Sequence, residues 1–286
     1  MQNQRRAALR AILVLGTICA FSIISTQAHA ADKTADLTQE FHHTYPLNAQ
    51  GQVSLDNING SVHISSWDHN EVKVDAVKHA ENQERLDEAR IQIDANSNEI
   101  SIQTKYPEHN DYGRGINPAS VEYTLTVPRN ARLNEIKLIN GSLEVSGISG
   151  EVRASCINGT LSAKDLTGPM KLSTINGPAE VEIGHSGTDQ VEISSVNGPV
   201  KVTLPSNAKA RIEANSVAGK ISNDFGLRVN DHRYVGHDLN GELGGGGMSV
   251  HLRNVNGPIQ IHRINDGHAL GPLKDFTQHQ KDDGEI

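Results

Sequence analysis

Residues 141–185 read GSLEVSGIS, GEVRASCIN, GTLSAKDLT, GPMKLSTIN and GPAEVEIGH, five units of nine residues that each begin with glycine. The third position holds Leu143, Val152, Leu161, Met170 and Ala179, and the fifth holds Val145, Ala154, Ala163, Leu172 and Val181. The eighth holds Ile148, Ile157, Leu166 and Ile175, and the residues between these rows are polar or charged. Apolar residues two apart mark a strand with one buried face, whereas a helix would space them three and four apart. All three apolar rows are therefore expected to face a core. The recurring glycine supplies a turn that needs positive φ.

A longer period lies on top of the nine. Asn-Gly occurs at Asn140-Gly141, Asn158-Gly159, Asn176-Gly177, Asn197-Gly198, Asn240-Gly241 and Asn256-Gly257, with Ala218-Gly219 in one place of the series. The intervals are 18, 18, 21, 21, 22 and 16 residues. Two strand-plus-turn units per interval make one coil, and fixed periods of this size belong to solenoids. A meander of hairpins also uses Asn-Gly turns, but it would not hold the same residue classes in phase through consecutive units. The expected fold is all-β, a β-solenoid of stacked two-strand coils. In such a stack each Asn lies above the next and can hydrogen-bond along it, and Ala218 leaves a gap.

Outward from this region, Asn59-Gly60 carries the same signature near the start, followed by Trp67 and a strand from Val72 to Ala76. Residues 81–90 are good helix formers with Leu86 and Ala89 on one side, which predicts one short helix in an N-terminal β region. Residues 106–120 contain Pro107, Gly113, Gly115 and Pro118 and read as a long surface loop. Two readings stand for it: a disordered connector, or a binding loop carrying Tyr106, Tyr112 and Arg114. The domain is expected to span 51–264, between a flexible segment 31–50 and a disordered polar tail 265–286.

The first thirty residues read as a secretory signal, with Arg5, Arg6 and Arg10 before the apolar run from Ala11 to Ile24, and cleavage expected after Ala30 at Ala28-His29-Ala30. That run is short of the roughly 20 residues needed to span a bilayer, and no later segment approaches it. A periplasmic or secreted protein is expected. Losing three arginines and no acid takes the formal charge from −8 to −11, which argues against nucleic acid as a partner. Cys19 leaves with the signal, so Cys156 is the remaining cysteine and no intramolecular disulfide is expected. No base stands beside Cys156 in sequence, which favours a structural thiol over a nucleophile.

The order of these parts resembles the bacterial putative-adhesin family, a domain of otherwise unknown function. The likeness rests on the early Asn-Gly strand followed by Trp67-Asp68, a strand ending in Val127-Pro128, and the serial Asn-Gly strands. Leu204-Pro205 and the glycine cluster 244–247 before the last Asn-Gly strand complete it. It spans residues 53–264. It implies an extracytoplasmic β-solenoid with a structural or binding role at the cell envelope, no enzyme and no established catalytic residues.

Two rival classes are weighed against that role. A carbohydrate-active enzyme on a β-helix needs paired carboxylates, but stacking one coil apart interleaves Glu144 and Glu180 with Ser162. Thirteen histidines remain after cleavage, which invites a metal-handling reading, yet no His-Glu-x-x-His or other ligand spacing occurs. His63, His251 and His262 fall on the solvent side by alternation. Gly184-His185-Ser186-Gly187 lacks the glycine a nucleophile elbow needs at Thr188, and the glycine cluster lacks a phosphate loop's Lys-Ser/Thr. No cofactor is expected, and the expected partner is an envelope protein or a glycan.

Overall fold

Among the described residues, alternation of buried and exposed side chains along almost every segment produces an all-β arrangement with one short helix. The computed structural model describes residues 36–107, 118–184, 190–232 and 236–277. The first part comprises β1 (Leu37–Pro46), β2 (Gln52–Asn59), β3 (Val62–Trp67), β4 (Glu71–Ala80), helix α1 (Gln83–Glu88), β5 (Arg90–Ala95), β6 (Glu99–Lys105) and β7 (Ser120–Pro128). The regular region follows as β8 (Arg132–Asn140), β9 (Leu143–Ser146), β10 (Val152–Asn158), β11 (Leu161–Lys164), β12 (Met170–Asn176), β13 (Ala179–Glu182), β14 (Gln190–Asn197) and β15 (Val200–Leu204). The last part is β16 (Ala210–Ser216), β17 (Ile221–Asn223), β18 (Asn230–Asp231), β19 (His237–Leu243), β20 (Met248–Asn256), β21 (Ile259–Arg263) and β22 (Leu273–Asp275).

These strands form two large sheets. One runs β1-β4-β7-β3-β9-β11-β13-β15-β21-β17, and the other runs β18-β19-β16-β20-β14-β12-β10-β8-β2-β6-β5 with β22 on β19. From β8 to β15 the chain alternates between the sheets, and each strand from β10 onward pairs parallel with the strand two places earlier. The third and fifth positions of each nine face inward: Val152, Ala154, Leu161, Ala163, Met170 and Leu172 are all buried. Each of the larger ones, Val152, Leu161, Met170 and Leu172, contributes about 1.5–3 kcal/mol by its burial.

Stack order departs from chain order at both ends. The pair β2–β3 lies between β6–β7 and β8–β9, because β2 pairs parallel with both β6 and β8 and β3 with both β7 and β9. The pair β20–β21 lies between β14–β15 and β16–β17 in the same way. The serial order inferred from the Asn-Gly spacing is thus corrected. Asn240-Gly241 is not a turn: both residues lie within β19, which runs antiparallel to β16. Gly241 is there for close approach, since a Cβ would meet the Leu227 side chain at 2.6 Å.

Parts of two segments expected to be unstructured form strands. β1 pairs antiparallel with β4 along its full length, Leu37 opposite Ala80 and Pro46 opposite Glu71. Phe41 and Tyr45 anchor it by packing against the core. In the tail, β22 pairs with β19, and the Arg211 guanidinium lies 5.4 Å from the Phe276 ring centre. The helix forms where sequence places it, with the Asn82 side chain accepting from the Arg85 N–H at 3.0 Å as N-cap.

Candidate binding groove

The Asn-Gly corners set the spacing of everything on the outer faces. Asn140 donates its side-chain amide to Asn59 Oδ1 at 2.8 Å, Asn158 to Asn140 at 2.8 Å and Asn176 to Asn158 at 2.9 Å. Asn197 donates to Asn176 at 3.0 Å, and Asn256 donates to Asn197 at 2.9 Å. Gly60, Gly141, Gly159, Gly177, Gly198 and Gly257 all have positive φ. They also stack backbone to backbone: a Cβ on Gly177 would run into the Gly159 carbonyl oxygen, and one on Gly198 into that of Gly177. Ala218 and Gly219 lie beyond Asn256: Gly219 keeps the close glycine stacking, a Cβ there running into Gly257 O, while Ala218 N–H donates to Val255 O at 2.9 Å and its side chain cannot supply the amide rung.

Just inside the corners runs a row of small or polar side chains that sequence reasoning missed. Asn57, Cys156, Thr174, Ser195, Asn254 and Ser216 are buried there. Asn57 Nδ2 donates to Val121 O at 2.9 Å and Gly60 O at 3.0 Å, and Asn254 Nδ2 donates to Gly198 O at 2.8 Å and Gly257 O at 2.9 Å. These asparagines tie each out-of-order strand pair to a neighbour distant in sequence. The repeated Asn57-Ile58-Asn59-Gly60 and Asn254-Val255-Asn256-Gly257 was the available signal. Cys156 takes the same place, its thiol donating to Gly141 O at 3.3 Å, and burial pushes its pKa up.

The eighth position of the nine divides into two kinds, which corrects the expectation of a third core row. In β10 the alternation continues to the end of the strand, so Cys156 faces in and Ile157 faces out. After β11 the chain turns at Asp165, φ 54°, and this sends Leu166 inward; Gly147, φ 72°, does the same for Ile148. The outward residues align across the second sheet. Ile157, Ile175, Val196 and Val255 are 36%, 42%, 39% and 41% exposed on successive neighbours β10, β12, β14 and β20, and Val217, just past the end of β16, is 50% exposed. They make an aliphatic stripe beside the Asn ladder.

A groove of about 550 Å³ lies over the stripe, with Ile175, Val196, Val255 and Val217 in its floor. Ser173, Ser194, Arg253 and Asn215 flank it, and His232, Gly236, His237 and Asp238 close one end. The end wall is internally paired: His232 Nε2 meets Asp238 Oδ1, His237 Nδ1 meets Asp231 Oδ1, and Asn230 donates to Asp238 at 3.1 Å. Arg253 is held loosely, 3.6 Å from Glu192 Oε1, because Glu192 accepts from Lys171 at 3.0 Å. That Lys171 bond is the largest influence on the Glu192 carboxyl, and the net effect holds it below its usual pKa.

The other candidates from sequence do not converge here. Tyr106 packs against the core and donates its hydroxyl to Ala119 O at 2.7 Å, so it is a framework residue. Tyr112 and Arg114 lie outside the described residues. His63, His251 and His262 stand opposite carboxylates, Glu144 at 3.1 Å, Glu213 at 3.3 Å and Asp224 at 3.1 Å. Hydrogen bonds that His42 donates to Asp75 and then to Glu40 raise its pKa. Among the described residues, no three His, Cys, Asp or Glu side chains are grouped to hold a metal ion. The register sets Ser162 opposite both Glu144 and Glu180. Glu144 bonds Lys164 and His63 instead, the Lys164 bond first in depressing its pKa. No helix among the described residues is long and apolar enough to cross a membrane.

No protein-family model matches the chain, and no curated protein matches it. Solved structures do. A putative cell adhesion protein from Clostridium sporogenes aligns at 13% identity, covering 79% of this chain and 100% of that one, with a TM-score of 0.48. A putative adhesin from Bacteroides fragilis aligns at 12% identity over 79% of this chain and 97% of that one, with a TM-score of 0.33. A putative lipid binding protein from Parabacteroides distasonis aligns at 9% identity over 79% and 97%, with a TM-score of 0.25.

Proposed function

We propose that this protein is a non-enzymatic, extracytoplasmic β-solenoid with an adhesin-like binding role at the cell envelope, and that the groove on its second sheet is the contact surface. The observation that carries this reading is the aliphatic stripe. Five β-branched side chains stand solvent-exposed in a row, which the half-buried Ile139 and Ile58 continue on β8 and β2. Contiguous exposed apolar rows mark binding surfaces. In-register parallel pairing between strands of alternating sheets supports the solenoid description. The interleaving of Glu144 and Glu180 with Ser162 supports the absence of glycosidase chemistry, which needs two carboxyl groups converging on one bond. The arginine-led apolar run in residues 1–30 supports export.

The test is retention of the mature chain on isolated envelopes, compared with Val196→Asp. Val196 is half exposed, so the substitution alters the stripe and spares the core. Loss of retention in the variant, with an unchanged circular dichroism spectrum, is expected. Equal retention by both chains overturns the groove as contact surface.

A further inference from the structure

We propose that the groove binds a single-chain anionic amphiphile, its aliphatic tail along the stripe and its anionic head at Arg253. This rests on the reading of the groove as the contact surface and names the chemistry it takes.

The floor has the shape of a chain rather than of a disc. Strand spacing sets Val255, Val196, Ile175 and Ile157 in a line of three steps, about 14 Å long at roughly 4.8 Å per step. These are aliphatic residues, so the track presents methyl groups with no donor or acceptor to satisfy. The stripe continues past the groove toward Ile157 and stops at the other end against His232 and Gly236. A ligand entering from the open side therefore meets a closed end near Val217 and Arg253.

Charge selects the head group. Asp238 is already engaged by His232 and Asn230, and His237 by Asp231. Among the described residues, the ionic partner of Arg253 is Glu192 at 3.6 Å, beyond hydrogen-bond length, so its guanidinium donors can take a carboxylate or sulfate. Ser194 flanks the floor one strand away, aligned with Arg253 in the register, and offers a hydroxyl. A polysaccharide fits this floor less well: the described lining residues include no Phe, Tyr or Trp on which a sugar ring could stack, and the stripe itself offers methyl groups with no donor or acceptor. The chain's own polar C-terminal residues 278–286 lack an aliphatic run to lay on it.

The experiment titrates the mature chain with dodecanoate below its micellar concentration, by calorimetry and by methyl chemical shifts. Hexanoate, dodecyl maltoside and a hydrophobic peptide are titrated in parallel. The expected result is saturable dodecanoate binding that shifts the Ile175, Val196 and Val255 methyls, with no binding of hexanoate. Arg253→Gln is expected to weaken dodecanoate by about tenfold while leaving dodecyl maltoside unchanged. Val196→Asp is expected to abolish both. Binding that survives Val196→Asp, shifts that map elsewhere, or capture of the peptide and not of dodecanoate overturns the proposal. If dodecanoate fails on the native chain while envelope retention is still lost in Val196→Asp, the amphiphile is wrong and the groove reading stands.

Discussion

Asn256 donates its side-chain amide to Asn197 Oδ1 at 2.9 Å across 59 residues of sequence. Every other bond in the asparagine ladder within the regular region joins residues 18 or 21 apart. The long step exists because β20–β21, the last strand pair of the stack in sequence, fills the place next to β14–β15. That insertion brings Val255 between Val196 and Val217 and so completes the groove floor.

The ladder predicts a paired response to asparagine changes. Asn176→Ala removes the bonds to Asn158 and Asn197 and is expected to cost about 1–2 kcal/mol in urea unfolding. Ala218→Asn adds a donor facing Asn256 Oδ1 and is expected to gain about 0.5–1 kcal/mol. No difference for either variant would mean the amides contribute nothing to register.

Two glycines predict opposite outcomes. Gly177 has φ +142°, and its Cβ would collide with Gly159 O, so Gly177→Ala is expected to cost about 3 kcal/mol or more. A Cβ on Gly184 would meet nothing within 4 Å among the described residues, and its φ is not left-handed. Gly184→Ala is expected to be neutral or slightly stabilising in the same measurement.

Much of this was legible in sequence, for reasons visible in particular residues. Val152 and Ala154 sit two apart on a single buried face, so period and burial agree. The glycine of each Asn-Gly corner has no substitute, because neighbouring carbonyls leave no room for a Cβ. The stack order was not legible: an Asn-Gly pair can be a corner, as at Asn256-Gly257, or a close approach inside a strand, as at Asn240-Gly241. Sequence alone does not separate the two, since glycine serves both needs. The groove was hidden because Ile157 and Ile175 look like core residues. Strict alternation from Val152 would have placed Ile157 outside, and only the left-handed turn at Asp165 makes Leu166 behave differently.

The His42–Asp75 contact predicts a defined pH window. Hydrogen bonds donated to Asp75 and then to Glu40 raise the His42 pKa above 6.5. Burial alone would raise that of Asp75, but bonds from Lys73 and His42 outweigh it and bring it below 3.8. The His42 contribution is fully present below pH 6.5 and is lost as pH rises through the folded His42 value. The Asp75 contribution is present above pH 3.8 and is lost as pH falls through its folded value. Histidine NMR titration should give a His42 midpoint above 6.5 that drops in Asp75→Asn. An unchanged midpoint would remove the pair from the account.

The thiol of Cys156 is buried, and its raised pKa disfavours the thiolate. A disulfide reagent at neutral pH is expected to leave Cys156 of the folded chain unmodified and to label it rapidly once urea unfolds the chain. Rapid labelling of the native chain would contradict the inward row.

Cross-linking in a Cys156→Ser background tests the stack order most directly. Ser194 is opposite Arg253, and Arg253 is opposite Asn215, so cysteines at 194 and 253, or at 215 and 253, lie within disulfide reach on adjacent parallel strands. Cysteines at 194 and 215 flank β20 and are two strands apart. Oxidation is predicted to close the 194–253 and 215–253 pairs and to leave 194–215 open. Closure of 194–215 with no 194–253 bond would show the coils stacked in chain order, which contradicts both the inserted strand pair and the groove built on it.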